Sequence, residues 1–313
     1  MKIYFCNGEE HYNAHQFPIA DLLGRKGHDV CIGDYVPTPD SLAVVASYKD
    51  LVRIRPNRTL LVYMEHGAGQ SYQNLPSNLA NYYSGGEREG VAAILAPGKI
   101  AAEAYWRSGY KGEVVQIGCP KLQDMMLLYN NYQRDPAKPF RVGLCFHWDC
   151  RVCPETEATW HQWLHIIDFL TPDPLLEFVG FVHPRNKIQL GMQYAMRDVP
   201  VVDSRTPVDC LLCDNSSVGF ELNACGVPVI WLDGIQYRKN VQHGLRFSVE
   251  CQPRIRYHES AKDTADELRN YIYMRRVTKI KPMRLLNDVY AVDPFTGNTI
   301  AAQFLEDLGA SYL

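Results

Sequence analysis

Segments typical of β-strands alternate with segments typical of α-helices along almost the whole chain of 313 residues. Residues 2–7 predict a strand, and residues 16–26 predict a helix that ends at Gly27. The other predicted elements of the first half are strands at 30–33, 43–46, 59–64, 91–96 and 113–117 and a helix at 99–107. Because short buried strands separated by helices form parallel sheets with helices on both faces, we expect an α/β chain.

One segment, Arg134-Asp135-Pro136-Ala137-Lys138-Pro139, interrupts this alternation, and its two prolines favour a linker. The second half resumes the pattern, with predicted strands at 141–146, 176–182, 199–203, 211–213 and 227–232 and helices at 155–169 and 299–308. We therefore expect a Rossmann-like domain over 1–133, a linker over 134–140 and a second Rossmann-like domain over 141–290. Doubly wound domains bind ligands at the carboxyl ends of their strands.

Composition and charge are those of an ordinary globular protein. The chain is 46% hydrophobic and 21% charged, and its net charge of −3 does not in itself favour nucleic-acid binding. We expect neither a signal peptide nor a transmembrane segment, because Met1 leads directly into a strand and no apolar run approaches about 20 residues. Many of the ten cysteines lie in apolar stretches, which favours reduced thiols and a cytoplasmic location (the host cytoplasm for a viral protein).

The segment from Asp214 to Glu221 is the strongest candidate for a ligand site. A short buried strand precedes it, a turn with two hydroxyls follows, and a helix is predicted from Val218. The N–H groups of a first helical turn, with the helix dipole, can bind a diphosphate, and Ser216 and Ser217 can cap the helix or hold phosphate. Glu221, one turn on, could reach a ribose or sugar hydroxyl. The alternative is a plain helix cap.

This segment resembles a known family. Asp214-x-Ser216-Ser217-x-x-x-Glu221, followed by a Gly-x-Pro at 226–228 and by Tyr237, is similar to the donor site of the CDP-glycerol glycerophosphotransferases of teichoic-acid synthesis. These belong to the GT-B superfamily of nucleotide-sugar transferases and sugar-nucleotide epimerases. Three further segments match in order, namely His66-Gly67, residues 118–124 and His183-Pro184. Residues 118–124 resemble the family's Gly-x-Pro-Arg-x-Asp segment, but Lys121 replaces the arginine and the spacing is one residue longer. The ordered set spans about residues 60 to 240.

The resemblance implies a GT-B-like fold, with two doubly wound Rossmann-type domains facing a central cleft. Residues 291–313 are then expected to cross back to the first domain. The resemblance also implies that the donor binds the second domain and that His66 is the catalytic base. Glu65, beside it in the chain, is the second candidate catalytic residue. An imidazole at a strand end can take a proton from an acceptor hydroxyl at neutral pH. On the acceptor side we place Gly67, Gly69 and Lys121.

Basic and polar residues after the predicted strands could bind the donor's phosphates. His183 and Arg185 end one strand, and a guanidinium can pair bidentately with phosphate. Fixed cations can stabilise a leaving diphosphate without a metal, and we find no convincing Asp-x-Asp, so we predict metal independence and no cofactor besides the donor. After the donor segment, we expect Tyr237, Arg238 and His243 to bind the donor.

The cysteine pairs Cys150-x-x-Cys153 and Cys210-x-x-Cys213 raise the possibility of a zinc site, with His147 as a further candidate ligand. The two pairs are far apart in sequence. The second lies on a predicted strand, where positions three apart face opposite sides. We therefore expect no metal site.

The predicted function is metal-independent transfer of a glycosyl or polyol-phosphate group from a nucleotide-diphosphate donor to an acceptor hydroxyl. The acceptor is a glycan, a lipid-linked polyol or DNA. The basic segment 275–284, preceded by Tyr271 and Tyr273, keeps open a viral-type glycosyltransferase that acts on hydroxymethylated pyrimidines in DNA. A sugar-nucleotide epimerase and a non-catalytic nucleotide-binding protein also remain open at this point.

Overall fold

The computed structural model describes residues 1–55, 59–68, 88, 90–150, 154–238, 245, 248–275, 282–290 and 293–312. These residues form two compact units. The first unit contains the described residues of 1–70, 75–124 and 285–313, and the second contains those of 125–284.

The described strands form one parallel sheet in each unit. The first sheet has the order β2-β1-β3-β4-β5-β6, and the second has the order β11-β10-β9-β7-β8. The strands of the first sheet are β1 (Lys2–Cys6), β2 (Asp29–Gly33), β3 (Leu42–Val45), β4 (Leu60–Met64), β5 (Ala93–Ala96) and β6 (Glu113–Gln116). Those of the second are β7 (Phe140–Phe146), β8 (Leu176–Val182), β9 (Cys210–Cys213), β10 (Val229–Asp233) and β11 (Arg254–Arg256).

Helices connect these strands. In chain order they are α1 (Asn13–Arg25), α2 (Tyr48–Ile54), α3 (Lys99–Arg107), α4 (Leu122–Asn131), α5 (Trp160–Ile167), α6 (Lys187–Ala195), α7 (Val218–Ala224), α8 (Ala261–Arg275), α9 (Leu286–Val289) and α10 (Pro294–Tyr312). The prediction of an α/β chain with two Rossmann-type units is therefore confirmed. None of the helices in the described ranges combines the length and apolar character that a membrane span requires.

The first sheet has an apolar layer on each face, and β4 shows how the sequence divides between them. Leu61 and Tyr63 pack with the buried side chains of α2 and α3. Val62 and Met64 pack on the other face with α1 and with α10, the last helix of the chain. Successive side chains of a strand point to opposite faces, so the two residues that follow β4 are also directed to opposite layers.

The predicted strand at 199–203 is wrong. Only an isolated bridge forms there, between Gly180 and Val201. The Gly180 N–H donates to the Pro200 carbonyl at 2.9 Å, and the Val202 N–H donates to the Gly180 carbonyl at 3.0 Å. Because Pro200 has no N–H to donate, the pairing cannot extend toward Val199.

Two predicted helices have different bounds in the structure. The helix predicted at 155–169 is a 3₁₀ turn at Pro154–Thr156 followed by α5, which begins only at Trp160. Thr159 is held just before α5 because its N–H and Oγ1 both donate to Asp214 Oδ2. The last helix, expected at 299–308, extends over Pro294–Tyr312.

Candidate functional site

Asp214 organises the carboxyl edge of the second sheet. It follows β9, it is fully buried, and its Oδ1 accepts the His147 N–H at 2.7 Å. Its Oδ2 accepts the N–H and Oγ1 of Thr159 at 3.1 and 3.2 Å. One carboxylate therefore ties the turn after β9 to the end of β7 and to the start of α5. A buried charge is stable only when it is satisfied in this way.

Ser217 and Glu221 form a polar pair at the first turn of α7. The Ser217 hydroxyl donates to Glu221 Oε1 at 3.2 Å, and only 1% of Glu221 is exposed. Ser216 Oγ accepts the Val218 N–H at 3.3 Å. Gly219 completes the local packing, because a side chain there would lie 2.6 Å from the Trp231 ring. The candidate ribose-binding carboxylate thus lies in the first turn of α7, four residues after Ser217.

The first turn of α7 differs from our expectation in one respect. Its N–H groups are not free: that of Gly219 donates to the Ser216 carbonyl at 3.2 Å. Those of Phe220 and Glu221 donate to the Ser217 carbonyl at 3.0 and 3.1 Å. These hydrogen bonds form within the turn because the carbonyls of Ser216 and Ser217 accept the N–H groups that follow them. Any diphosphate at this edge therefore needs further donors.

His183 and Arg185 occupy the next strand end, after β8. His183 Nδ1 accepts the Arg185 N–H at 3.2 Å, which fixes the turn at Pro184. The Arg185 guanidinium lies over the Trp148 ring, 4.6 Å from its centroid. Arg185 is exposed and His183 is half-buried. The indole therefore holds the Arg185 guanidinium at this strand end through a cation–π contact.

His147 belongs to the same edge, although its sequence context suggested only a zinc ligand. It directly follows β7, and its ring centroid lies 6.2 Å from that of His183. The sequence signal was its position, immediately after the buried run 140–146. Burial lowers the pKa of His147, against the opposing influence of Asp214 and of backbone groups of Thr156 and Trp148. Its imidazole is therefore neutral at neutral pH.

In the loop after β10, the Arg238 cation is paired with Glu155 of the same unit. Arg238 donates to Glu155 through its Nε at 2.8 Å and through its backbone N–H at 3.0 Å. Burial would raise the pKa of Glu155, but its bonds with Arg238 outweigh that and hold the pKa below 4.5. The Tyr237 hydroxyl donates to the Glu157 carbonyl at 3.4 Å. Arg238 is thus a paired cation that fixes the loop, and His243 lies outside the described residues.

In the first unit, His66 follows β4 on the face covered by α1. Its ring meets the ring of Tyr12 edge to face, with centroids 4.5 Å apart, and the His15 ring lies 6.3 Å away. Gly67 has a φ of +83°, a backbone conformation that favours glycine. This turn directs His66 to a strand end, where a base is expected. Gly69 lies outside the described residues.

His15 lies deep beside His66. Burial lowers its pKa well below 6.5, and the charges of Lys121, His66 and His11 lower it further. Its Nδ1 faces the Cys119 thiol at 4.0 Å. His15 is therefore neutral at physiological pH, and both His66 and Lys121 of the predicted acceptor side act on it electrostatically.

Glu65 occupies the opposite layer. It is 2% exposed, and its Oε2 accepts the Tyr105 hydroxyl at 2.5 Å. The buried Arg88 guanidinium lies 4.2 Å from the Tyr63 ring centroid. Burial would lower the pKa of Arg88, but Tyr63, Tyr105 and Glu65 raise it. Glu65, predicted beside the base, therefore belongs to a buried network below α3.

The cysteines and the basic segment add little to these two edges. Cys150, Cys210 and Cys213 are buried free thiols, and Cys153 lies outside the described residues. Within the part of the chain that the structure describes, no three His, Cys, Asp or Glu side chains gather around a point that could hold a metal ion. Residues 276–281 of the basic segment are likewise outside the described residues.

No protein-family model matches this sequence, and no curated protein resembles it at the level of sequence. Solved structures do resemble it in fold. A variant of the wall teichoic acid polymerase TagF soaked with CDPG has a TM-score of 0.65 and 11% identity, over 99% of this chain and 89% of that chain.

Two epimerases are also similar. The Methanocaldococcus jannaschii UDP-GlcNAc 2-epimerase, in complex with UDP-GlcNAc and UDP, has a TM-score of 0.61 and 13% identity over 98% of this chain and 100% of that one. The Neisseria meningitidis UDP-GlcNAc 2-epimerase bound to UDP-GlcNAc has a TM-score of 0.56 and 11% identity, with the same coverage. At such identities the likeness concerns the fold. The chain has a GT-B-like fold, and the resemblance to that superfamily predicted from its ordered motifs is confirmed at that level.

Proposed function

We propose that the protein is a transferase that moves a glycosyl or polyol-phosphate group from a nucleotide-diphosphate donor to an acceptor hydroxyl. The donor binds the carboxyl edge of the second sheet, where Glu221 receives a ribose or sugar hydroxyl. His66 of the first unit takes the proton from the acceptor. Fixed protein cations, rather than a metal ion, stabilise the leaving diphosphate.

One observation carries this proposal: the half-buried Ser217 donates to the buried Glu221 in the first turn of α7, at the carboxyl edge of a doubly wound sheet. Ligands of such sheets bind at this edge. A buried carboxylate that already accepts a hydroxyl hydrogen bond can exchange it for a hydroxyl of a ribose or a sugar. The structural neighbours include proteins whose structures were obtained with CDPG and with UDP-GlcNAc, which supports a nucleotide-activated donor.

The first test is a thermal-shift screen of CDP, UDP, GDP and ADP with their sugar and glycerol conjugates. A ligand at about 100 times its Kd stabilises the native state by about 2.7 kcal/mol. We expect one nucleotide family to raise the Tm by several degrees, since about 1 kcal/mol corresponds to roughly 2–4 °C for a domain of this size. The absence of a shift with every nucleotide would contradict the proposal.

Glu221→Gln tests the residue that carries the proposal. We expect it to weaken binding of the selected nucleotide by about 10-fold or more, because a hydrogen bond to a charged group contributes about 1.5–3 kcal/mol. The matched control is Asp209→Asn. Asp209 is also a carboxylate, bonded to the Arg141 N–H at 2.8 Å, but it precedes β9 and so lies at the opposite edge of the sheet. Equal loss of binding in both variants would point to a general loss of stability.

A sugar-nucleotide epimerase is the second candidate, because the likeness to UDP-GlcNAc 2-epimerases extends over 98% of this chain. An epimerase needs no separate acceptor. Incubation with the donor alone, followed by analysis of the sugar, separates the two. A new epimer formed without any acceptor supports the epimerase. A donor that stays intact until an acceptor is added supports the transferase.

A further inference from the structure

The outer side of α6 is apolar and largely exposed. Ile188, Met192 and Met196 are 77%, 63% and 76% exposed, and we call these three residues the α6 stripe. They follow one another at intervals of four residues and so lie on one side of the helix. Met196, which caps α6, keeps helical dihedral angles. Leu190 and Tyr194, on the opposite side, are buried in the core of the second unit.

The α6 stripe differs from the outer sides of other helices in this protein. On α3, Glu103 forms ion pairs with Lys99 and Arg107, four residues before and after it. On α8, Lys262 pairs with Asp266 in the same way. Apart from its first residue, α6 contains no charged residue. Single exposed apolar side chains are ordinary, but a contiguous row of large ones is typical of an interaction surface.

The two ends of α6 carry opposite charges. Lys187 begins the helix, and Asp198 follows its last turn with a φ of +54°. Both are exposed, and neither forms an ion pair within the part of the chain that the structure describes. They are about 16 Å apart, since a helix rises about 1.5 Å per residue. The midpoint between them falls beside Met192, which is also the centre of the α6 stripe.

A glycine adjoins the stripe without a reason in its own unit. Gly191 lies inside α6, and a Cβ built on it would have no atom within 4 Å. Alanine would therefore fit there and would be the better helix former. A glycine on a helix surface does allow another helix to approach closely. Gly191 is thus accounted for if a second helix packs against the α6 stripe.

We propose that the α6 stripe is the interface with a second copy of this chain, in which the two α6 helices pack antiparallel about a two-fold axis at Met192. A two-fold interface must be self-complementary. This axis places Ile188 of one copy against Met196 of the other. It also brings Lys187 of each copy to Asp198 of the other. One symmetry operation therefore covers the apolar side chains and pairs the two charges.

The charges favour a second copy over a lipid surface. Helices that lie on anionic membranes carry several Lys or Arg residues beside their apolar side. α6 carries Lys187 alone, and Asp198 offsets its charge. An interface of one helix from each copy is small, so we expect a reversible dimer with a Kd of about micromolar order. This inference does not depend on the proposed function.

The first test is sedimentation velocity of the full chain over a range of concentrations. The wild type should change from monomer to dimer as its concentration rises. Met192→Glu should weaken the dimer by about 100-fold or more, because two carboxylates would meet at the axis. Since Met192 is exposed, the variant should keep the wild-type Tm. The matched control is Met274→Glu on α8, where the methionine is 61% exposed, and it should dimerise as the wild type does.

The second test is the coupling of the two charges. Lys187→Glu should weaken the dimer by about 3- to 10-fold, because it places a carboxylate against Asp198 of the other copy. In an Asp198→Asn background, which tolerates the left-handed backbone, the same change should have little effect. The two sites are too far apart to interact within one copy. Their coupling can therefore arise only across an antiparallel interface.

Other outcomes overturn the inference. A wild type that stays monomeric up to about 100 times the expected Kd has no such interface. A dimer that Met192→Glu leaves intact uses another surface. Equal effects of Lys187→Glu in both backgrounds rule out the antiparallel arrangement. A monomer that co-sediments with phosphatidylglycerol vesicles, and loses this in Met192→Glu, would assign the α6 stripe to a membrane instead. The proposed function stands in each case.

Discussion

Glu65 and His66 are neighbours in the chain, but their side chains lie on opposite faces of the first sheet. His66 meets the Tyr12 ring on the α1 face, whereas Glu65 accepts the Tyr105 hydroxyl on the α3 face. The alternation of side chains along an extended backbone separates them. His66 is half-buried at the strand end, whereas Glu65 accepts the Tyr105 hydroxyl near the buried Arg88, which favours a role of Glu65 in stabilising the fold.

This division gives a prediction for the two residues. His66→Ala should lower turnover by about 10²- to 10⁴-fold, the usual contribution of a general base, and should spare nucleotide binding. Glu65→Gln should lower the free energy of unfolding by about 1–3 kcal/mol and leave the folded protein active. Steady-state kinetics and urea unfolding measure the two effects.

The control for Glu65→Gln is Glu113→Gln, an exposed carboxylate at the start of β6 in the same unit, which should change neither quantity. Unchanged turnover in His66→Ala would remove His66 from the reaction. A stable Glu65→Gln protein that has lost activity would instead place Glu65 in the mechanism.

At the scale of elements, α10 depends on glycine to approach the first sheet. A Cβ at Gly297 would lie 1.9 Å from the Ile117 carbonyl oxygen, which is backbone and cannot move aside as a side chain can. Gly297→Ala should therefore destabilise the protein by about 1–3 kcal/mol, as overpacking does. Gly24, on the exposed side of α1, has no atom within 4 Å of such a Cβ.

The matched variant Gly24→Ala should have the opposite sign and stabilise by about 0.5–1 kcal/mol, because alanine is the better helix former. Urea unfolding of both variants checks the pair. If Gly297→Ala proved neutral, the close contact of α10 with the loop after β6 would not contribute to stability.

Elements and strand ends could largely be predicted from the sequence, because alternating apolar segments and the residues that follow them depend on local pattern. The positions of His66, His183 and Asp214 just after strands were predicted in that way. The engagement of Arg238 with Glu155 could not be predicted, since those residues are distant in sequence and meet only after folding. The unformed strand at 199–203 did carry a local signal, since Pro200 has no N–H for a ladder and only one bridge forms there.

Over the whole molecule, each unit keeps one imidazole neutral near its candidate site. Burial lowers the pKa of His15 in the first unit and that of His147 in the second. In the unfolded chain both histidines titrate near pH 6.5. As pH falls below 6.5, the unfolded chain therefore binds protons that the folded protein does not bind. The stability that these two neutral histidines contribute is complete above about pH 6.5 and is lost progressively below it.

We expect the free energy of unfolding to fall by up to about 1.4 kcal/mol per pH unit for each of these histidines between pH 6.5 and their depressed folded pKa values. His11, His66 and Lys121 near His15, and Asp214 and Arg185 near His147, stay in place in the test variants. His15→Gln/His147→Gln should have a lower stability at pH 8 but a shallower slope below pH 6.5. Urea unfolding at a series of pH values measures both slopes. Parallel curves would mean that the two imidazoles are protonated in the folded protein and that burial does not keep them neutral.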